Sequence, residues 1–441
     1  MPIDAPMALG IVILCAGVLS RRRAVVLVLG GLSVAVMSFH AREGLRPVQA
    51  REWEGVLRLV SDPKTFPGRV VVDADTDLGR VQLTATGQAA SVVRQASAGR
   101  ELSVQGTLRN LAHPERVAYR HVRMAMSVSE ASLESGTDLW RVPVDLVRGA
   151  ILRGAQVLPE DQRPLYTGFV IGDDRGSREE VVQAFKDSGL SHLLVVSGQN
   201  VVFLLAIAAP LAARLGRRSN LVVLLSVLLL FAAVTRFEPS VLRACAMAML
   251  AVAGASSGRP LTTGRRIAVA VALLIMIDPL LVESLGFRLS VAATVGIALF
   301  ASGIARRLRG PEWFKRVLSI TIAAQVAVAP LIIPVVGPLP LASLPANVLA
   351  EPIAGFVMMW GSTVGVVAGI IGGWPAAVLQ APVRLGVWWI MKVAEGCSEL
   401  PLPRVSLPVI IVITLSTWVL LRAHLSWRRS RRTLLGQVSA G

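Results

Sequence analysis

Metal-ligating and nucleotide-binding patterns are scarce in this sequence. It has three cysteines and five histidines among 441 residues, with no CxxC pair, no HExxH and no H-x-H-x-D-H run. We therefore expect no disulfide framework, no structural metal site and no metal-dependent hydrolase. A GxxxxGK[ST] loop is also missing, which argues against a nucleotide-driven motor. We expect neither a cofactor nor an enzymatic activity of its own.

Acidic residues are few compared with basic ones. The chain has 28 Asp and Glu against 45 Lys and Arg, a formal net charge of +17. Hydrophobic residues make up 54% of it and the mean hydropathy is +0.62, whereas soluble chains are about 45–50% apolar. Many basic residues fall in short loops between apolar runs, as the positive-inside rule requires. These features predict a polytopic α-helical membrane protein.

The apolar runs predict about eleven transmembrane helices, because one crossing takes about 20 residues. Two form an N-terminal hairpin over 1–40, and the others lie within a membrane domain over 191–425. A basic tail follows over 426–441. The later crossings are expected at 192–213, 219–235, 240–257, 267–283, 285–304, 317–336, 346–372, 376–396 and 406–424.

Basic residues set the expected orientation of these helices. If residue 192 is outside, the loops at 214–218, 259–266 and 305–316 all lie in the cytoplasm, and so does the C-terminus. This agreement predicts a multi-pass membrane protein with residues 50–130 outside and its C-terminus in the cytoplasm.

Residues 50–130 lack long apolar runs. Short segments with period-2 alternation are separated by Gly, Pro and Asp, as in β-strands. Five such segments predict an extracytoplasmic all-β domain of the OB-fold type, inserted between the membrane helices. The segments are WEGVLRLV, RVVVDAD, GRVQLTAT, ELSVQGTLRN and VAYRHVRMAMSV.

Residues 138–190 predict amphipathic helices. In the first of these, Arg141, Asp145 and Arg148 fall on one side of the helix and apolar residues on the other. Two placements fit this pattern. The helix lies flat on the membrane surface, or it packs on the β-domain.

Polar residues inside the apolar runs concentrate near the outer ends of the predicted helices. Such groups face a bundle interior or a water-filled cavity, so they predict a wet vestibule. Structural ion pairs near the interface are the alternative. The predicted vestibule residues are His192, Ser197, Gly198, Gln199, Asn200, Arg243, Arg288 and Asn347.

A serine hydrolase inside the membrane is a further alternative for this region. Ser197 needs a base within hydrogen-bond reach, yet His192 is about 140° away around a helix. Lys392 is the other candidate base. We assign no catalytic residue.

The stretch FVIGDDRGSREEVVQAFKDSGLSHLLVVSGQNV resembles the signature of the ComEC competence proteins, which form the inner-membrane channel for uptake of single-stranded DNA. The segments EPSVLRACAMAML, DPLLVESLGFRLSVAATVGI and LPANVLAEPIAG resemble further motifs of that family in the same order. The signature residues that match are Gly172, Asp173, Gly189, His192, Ser197 and Gly198.

The resemblance implies a channel for single-stranded DNA, with the vestibule residues along the DNA path. It also implies partners: membrane lipid, a DNA receptor, a cytoplasmic helicase or translocase, and a separate nuclease. Many family members continue into a metallo-β-lactamase-like nuclease domain, so we expect a short form without it. The sequence departs from the family at Gln199 and Asn200, where Leu or Met and then His are usual, which leaves the role of these two positions open.

The β-domain would then receive the strand. A basic face is possible there, although a solvated face is the commoner explanation of such residues, and aromatic candidates for base stacking are limited to Trp53, Phe66 and Tyr119. The basic candidates are Arg94, Arg100, Arg109, Arg116, Arg120 and Arg123. The other function that the sequence allows is transport of a different solute, with the β-domain as a structural cap.

The predicted topology has a direct test. Cysteines introduced at Ser97 and Ser430 are expected to react with a membrane-impermeant reagent from opposite sides of the membrane, because the β-domain is outside and the tail inside. Labelling of both from the same side would contradict the scheme.

Overall fold

The computed structural model describes residues 49–134, 141–194, 198–256 and 262–406, together with the isolated positions Phe39, Leu45 and Val196. Several predicted features lie outside the described residues. They are the N-terminal hairpin (except Phe39), Ser197, the last predicted crossing beyond residue 406, and the basic tail.

The β-domain occupies residues 52–133. Helix α1 (Gly87–Gln95) lies between its fourth and fifth strands, and the short helix α2 (Pro114–Val117) precedes the last strand. The strands are β1 (Glu52–Leu59), β2 (Lys64–Phe66), β3 (Arg69–Thr76), β4 (Gly79–Ala85), β5 (Glu101–Arg109) and β6 (Val122–Leu133).

Five long strands close into a barrel. Their order around the ring is β1, β3, β4, β6, β5 and back to β1, and the short β2 extends the sheet beyond β3. Neighbours are antiparallel apart from β4 and β6, which are parallel. Alternate residues face inward, so β4 buries Val81, Leu83 and Ala85. The predicted β-domain is confirmed as a β-barrel, and each of the five predicted segments overlaps one of its five closing strands.

The rest of the described chain is helical. A π-helical turn (Ile297–Ala301) joins α10 to α11, and a short ladder pairs β7 (Leu339–Pro340) with β8 (Arg404–Val405). The helices are α3 (Val142–Ala155), α4 (Arg163–Ile171), α5 (Glu179–Asp187), α6 (Gly198–Ala212), α7 (Arg217–Val234), α8 (Pro239–Ser256), α9 (Thr263–Ile277), α10 (Leu285–Gly296), α11 (Ser302–Ala305), α12 (Glu312–Val336), α13 (Ser343–Gly361), α14 (Val364–Ile371) and α15 (Gly373–Ser398).

Three helical segments in the described residues are long and apolar enough to cross a membrane: α7, the continuous stretch from α10 to α11, and α12. α13 and α14, which meet at a bend of 47°, count as a fourth span if they are taken together. Leu229 and Leu299 on these segments are 57% and 66% exposed. Apolar surface of this kind suits lipid better than water. The chain is thus a membrane protein with several apolar helices and a β-barrel, while the total of eleven crossings stays a prediction.

Helices α3 and α4 form a hairpin that is inserted among the other helices. All residues of α4 from Pro164 to Ile171 are buried. α3 packs closely on α14, because Gly154 and Gly369 have no side chains; a Cβ on Gly154 would lie 2.6 Å from the carbonyl oxygen of Gly365. Residues 138–190 are predicted to form amphipathic helices. They include α4, which has no exposed polar face. Local periodicity does not reveal this, since α4 spans only nine residues.

The barrel lies at one end of the helices, and the basic loops lie at the other. The barrel reaches the segment after α7 through Asp62 and Arg236 and the segment after α9 through His121 and Asp278. Two of the basic loops precede these same two helices, at their opposite ends. This arrangement is the one expected if the barrel is outside.

The glycine contact of the hairpin can be tested with two alanine substitutions. Gly369→Ala places a Cβ against the carbonyl oxygen of Ala150 and is expected to destabilise the protein by about 1–3 kcal/mol through overpacking. Gly396→Ala, in α15, meets open space and is expected to be neutral or to stabilise by up to ~1 kcal/mol. Thermal unfolding in detergent measures both, and equal effects would contradict the packing described.

Candidate functional site

The start of α6 brings distant segments of the chain together. Val196, just before α6, accepts a hydrogen bond from Ser240 Oγ at 2.9 Å. A methyl group on Gly198, the first residue of α6, would stand 3.0 Å from Ala244 Cβ and 3.5 Å from Arg243 Nη2. α6 and α8 therefore touch at this glycine, and the guanidinium of Arg243 lies beside the first turn of α6.

Arg243 is a buried cation. It is 7% exposed, its Nε donates to Ser290 Oγ at 2.8 Å, and its Nη1 lies 3.4 Å from Met247 Sδ. Within the described part of the chain, Arg243 forms no ion pair with a carboxylate. A buried charge is costly unless it is paired, so this position has a positive potential that an anion would relieve.

Three other charged residues near the same helix ends are not shown in contact with this cation. Asp278 Oδ2 lies 3.0 Å from His121 Nε2 of the barrel. Glu283 accepts at its backbone carbonyl from Arg288 Nη2, at 3.4 Å. Arg288 is half-buried and lies two residues before Ser290, which is about 200° around a helix. Arg288 and Ser290, the hydrogen-bond partner of Arg243, therefore point to different sides of α10.

A second set of polar residues faces α6 from α13. His192 Nε2 is 3.9 Å from Glu351 Oε1, and Gln199 Nε2 is 3.4 Å from the position that a Cβ would take on Gly355. Asn347, Glu351 and Gly355 follow one another at four-residue spacing, so they share one face of α13. Asn347 is 5% exposed, and its Oδ1 has no hydrogen-bond partner among the described residues. We call Asn347, Glu351 and Gly355 the α13 stripe.

Asn200 does not join the α13 stripe. It is 3% exposed, and its Nδ2 donates to the carbonyl oxygen of Phe169 in α4 at 2.9 Å. Asn200 thus attaches α6 to the buried hairpin, which is a packing role. Ser197 lies outside the described residues. No three metal-ligating side chains come together in the ranges that the structure describes.

A buried charge network joins the barrel to the helices, and the sequence analysis missed it. Arg148 of α3 is 5% exposed. Its Nη2 lies 2.6 Å from Asp62 Oδ2 and 3.2 Å from Asp173 Oδ2, and its Nη1 donates to the carbonyl oxygen of Val234 at 2.7 Å. Arg236 approaches the Asp62 carboxylate with two nitrogens at 3.4 Å. We call this set, with Arg175 described next, the junction network.

The Gly-Asp pair of the signature positions one carboxylate of the junction network. Gly172 has φ +73, ends α4 and donates its N–H to the carbonyl oxygen of Gly168. Asp173 follows this left-handed turn and meets Arg148. Arg175 binds the same carboxylate through Nε at 2.7 Å and Nη2 at 2.6 Å. Together with Arg236, three arginines face two aspartates. The Gly-Asp pair was the available signal for this network.

The Asp62 carboxyl is held in its ionised form. Burial by itself would raise its pKa, but the charges of Arg148 and Arg236 and the hydrogen bond from Ala98 N outweigh burial, so the pKa is lowered. Its contribution to stability is therefore present above the unfolded-state pKa and is lost as the pH falls through the lower folded-state pKa.

The barrel arginines do not form one free basic face. Arg120 forms an ion pair with the buried Asp73, and Arg123 donates to the carbonyl oxygen of Leu78 at 2.7 Å. Both side chains thus support the barrel itself. Arg94, Arg100 and Arg109 are exposed. The side chain of Arg116 lies outside the described ones.

The predicted aromatic candidates also differ in access. Trp53 is 9% exposed, and its Nε1 donates to Asp77 Oδ1 at 3.1 Å. Tyr119 is half-buried. Phe66, on the β2–β3 hairpin, is 44% exposed, so it is the most accessible ring of the three.

The chain is similar to known proteins over its helical part. A family profile described as "Competence protein" matches residues 169–431. The ComE operon protein 3 of Bacillus subtilis (strain 168) is 27% identical over 212 residues, which cover 48% of this chain and 27% of that relative. The match thus spans little more than a quarter of the relative's length. No solved structure shows significant similarity.

The junction network predicts an unequal response to two similar substitutions. Asp62→Asn removes the carboxylate that pairs with Arg236 and one of the two carboxylates that pair with Arg148. The substitution is expected to destabilise the protein by about 3–5 kcal/mol at neutral pH. Asp75→Asn breaks the exposed pair with Arg80 on the same barrel and is expected to change stability by less than ~1 kcal/mol.

Unfolding in detergent as a function of pH measures both variants. The difference between Asp62→Asn and the unaltered chain should shrink below about pH 4, where the unfolded carboxyl becomes protonated. A difference that is small at neutral pH, or that grows in acid, would show that the network does not stabilise the junction.

Proposed function

Because the chain belongs to the competence protein family, we propose that it forms an inner-membrane channel through which single-stranded DNA enters a bacterium during natural transformation. The observation that carries the proposal is Arg243, a buried cation without a carboxylate partner among the described residues, beside Gly198. A polyanion that crosses a membrane needs cations and water in the wall of its path, and this site supplies an uncompensated positive charge.

The direction of the path follows from the positions of the barrel and the basic loops. The barrel contacts the helix ends where α8 and α10 begin, and the basic loops lie at the opposite ends. Basic loops favour the cytoplasmic side, so the proposal puts the barrel outside and the C-terminus inside. DNA would move from the barrel to Arg243 and the α13 stripe, and then to the cytoplasm.

The barrel would act as the external receiver. Its ring order, its single parallel pair and the helix between β4 and β5 support an OB-fold. OB-folds bind oligonucleotides with the loops that here span 60–68 and 110–121. Those loops carry Asp62 and His121, which meet the helices, so a strand held there would be delivered to the bundle.

The proposal assigns no bond-breaking step to this chain. Degradation of the second strand, capture of DNA at the surface and pulling of the strand from the cytoplasm would belong to partner proteins: a separate nuclease, a DNA receptor, and a helicase or translocase. The proposed path residues of the chain would contribute charge, water and shape.

Two substitutions at the path test the proposal. Gly198→Leu puts a large side chain between Ala244 and Arg243 and is expected to block uptake. Arg243→Glu is expected to lower uptake at least about tenfold, because a like charge repels the phosphates. Since Arg243 forms no ion pair with Asp278 or Glu283, reversing its charge breaks no such pair. Transformation frequency and the amount of protein in the membrane are measured together.

A matched control keeps the charge change but moves it away from the path. Arg178→Glu alters an exposed arginine just before α5 and should leave transformation unchanged. If both path variants reach normal levels in the membrane and still take up DNA as the unaltered chain does, the channel proposal is wrong.

A further inference from the structure

Two exposed phenylalanines lie at the junction between the barrel and the helices. Phe66, on the β2–β3 hairpin, is 44% exposed, and Phe237, in the turn between α7 and α8, is 47% exposed. Neither ring is needed to fill a core.

The backbone of the α7–α8 turn is strained in a way that presents Phe237. Arg236 and Phe237 both adopt left-handed conformations, with φ of 58° and 55°. A helix end commonly uses one left-handed residue, usually glycine, so two successive residues with large side chains exceed what a cap requires. Backbone strain of this kind persists only where surrounding contacts enforce it, and it clusters at functional sites.

Those contacts come partly from the hairpin that carries Phe66. The carboxylate of Asp62, at the base of the hairpin, lies 3.4 Å from Arg236. Further along the hairpin, Lys64 is an electrostatic neighbour of Glu238, the residue after Phe237. The Asp62–Arg236 ion pair therefore attaches the two segments that carry the rings.

The hairpin that carries Phe66 also carries two exposed cations. Lys64 and Arg69 are exposed, and the Arg69 guanidinium carbon lies 5.7 Å from the centroid of the Phe66 ring, a cation–π distance. Proteins that bind single strands combine aromatic rings, on which bases stack, with basic residues along the backbone.

The rings also stand next to the proposed path. α8 begins at Pro239, two residues after Phe237, and Arg243 follows one helical turn later, about 6 Å along the axis. A strand that leaves the barrel at the hairpin would meet the two rings before it reached the buried cation.

We propose that Phe66 and Phe237 form a stacking site for unpaired bases at the barrel–helix junction, with Lys64 and Arg69 on the phosphates. This inference rests on the proposed function and names the residues that receive the strand. Exposed aromatics near a membrane also bind lipid headgroups. The attachment of the hairpin to the α7–α8 turn, together with the cation over the ring, favours nucleic acid.

The experiment compares two ligands on the full chain in nanodiscs. One is a fluorescent oligothymidylate of about 12 nucleotides, within the usual site sizes, and the other is an abasic strand of equal length. Phe66→Ala and Phe237→Ala should each weaken oligothymidylate binding on the order of tenfold, while binding of the abasic strand stays unchanged. Phe66→Tyr and Phe237→Tyr keep a ring and should restore binding.

Phe300→Ala is the matched control, because Phe300 is 48% exposed on the π-helical turn that leads to a basic loop. It should change neither affinity. If the unaltered chain prefers the oligothymidylate and both alanine variants keep that preference, the stacking site is wrong while the channel proposal stands. A chain that binds neither strand overturns both.

A membrane role for the hairpin is tested separately. Thr65 is exposed between Lys64 and Phe66, so a dye can be attached to Thr65→Cys in a chain with Cys15→Ser. Quenching of the dye by added oligothymidylate, with no quenching by nitroxide-labelled lipid, supports the stacking site. Quenching by the lipid in the absence of DNA would overturn it.

Discussion

One guanidinium, taken out of water, ties three segments of this protein together where the barrel meets the helices. Arg148 contacts a carboxylate of the barrel, the carboxylate that follows α4, and the backbone at the end of α7. Removing one partner of such a buried ion pair is strongly destabilising. The hairpin α3–α4, the β1–β2 loop and the turn after α7 must therefore adopt their positions together. The proposed stacking site and path depend on these positions.

Much of the fold follows from periodicity. The barrel strands alternate over most of their length, so their segments are readable. The predicted crossings at 219–235 and 240–257 differ from α7 and α8 by only one or two residues at each end. The α3–α4 hairpin is different. Its helices are short, and pattern alone does not say what a helix packs against. α1 was missed as well, because nine residues between two strands also read as a loop.

The candidate site was predictable as a region but not as a set of contacts. The depth of the residues in the predicted helices, together with the family motifs, places Gly198 near Arg243. In the structure the two residues are neighbours. No sequence signal shows that Asn200 turns to the carbonyl of Phe169, or that Asp278 pairs with a barrel histidine. These outcomes depend on which helices become neighbours. The pattern places Arg148 on the polar side of its helix but does not show that it is buried, because a buried arginine and an exposed one look alike in a helical pattern.

The barrel is attached on both flanks of α8. Asp62 meets the turn after α7, and His121 meets the segment after α9, while α8 packs against both of these helices. Once one attachment has formed, the other becomes an intramolecular event with a high effective concentration. The two contacts therefore reinforce each other, and neither has its full strength alone. A barrel held in this way resists rotation about either contact and keeps one orientation over the helix that carries Arg243.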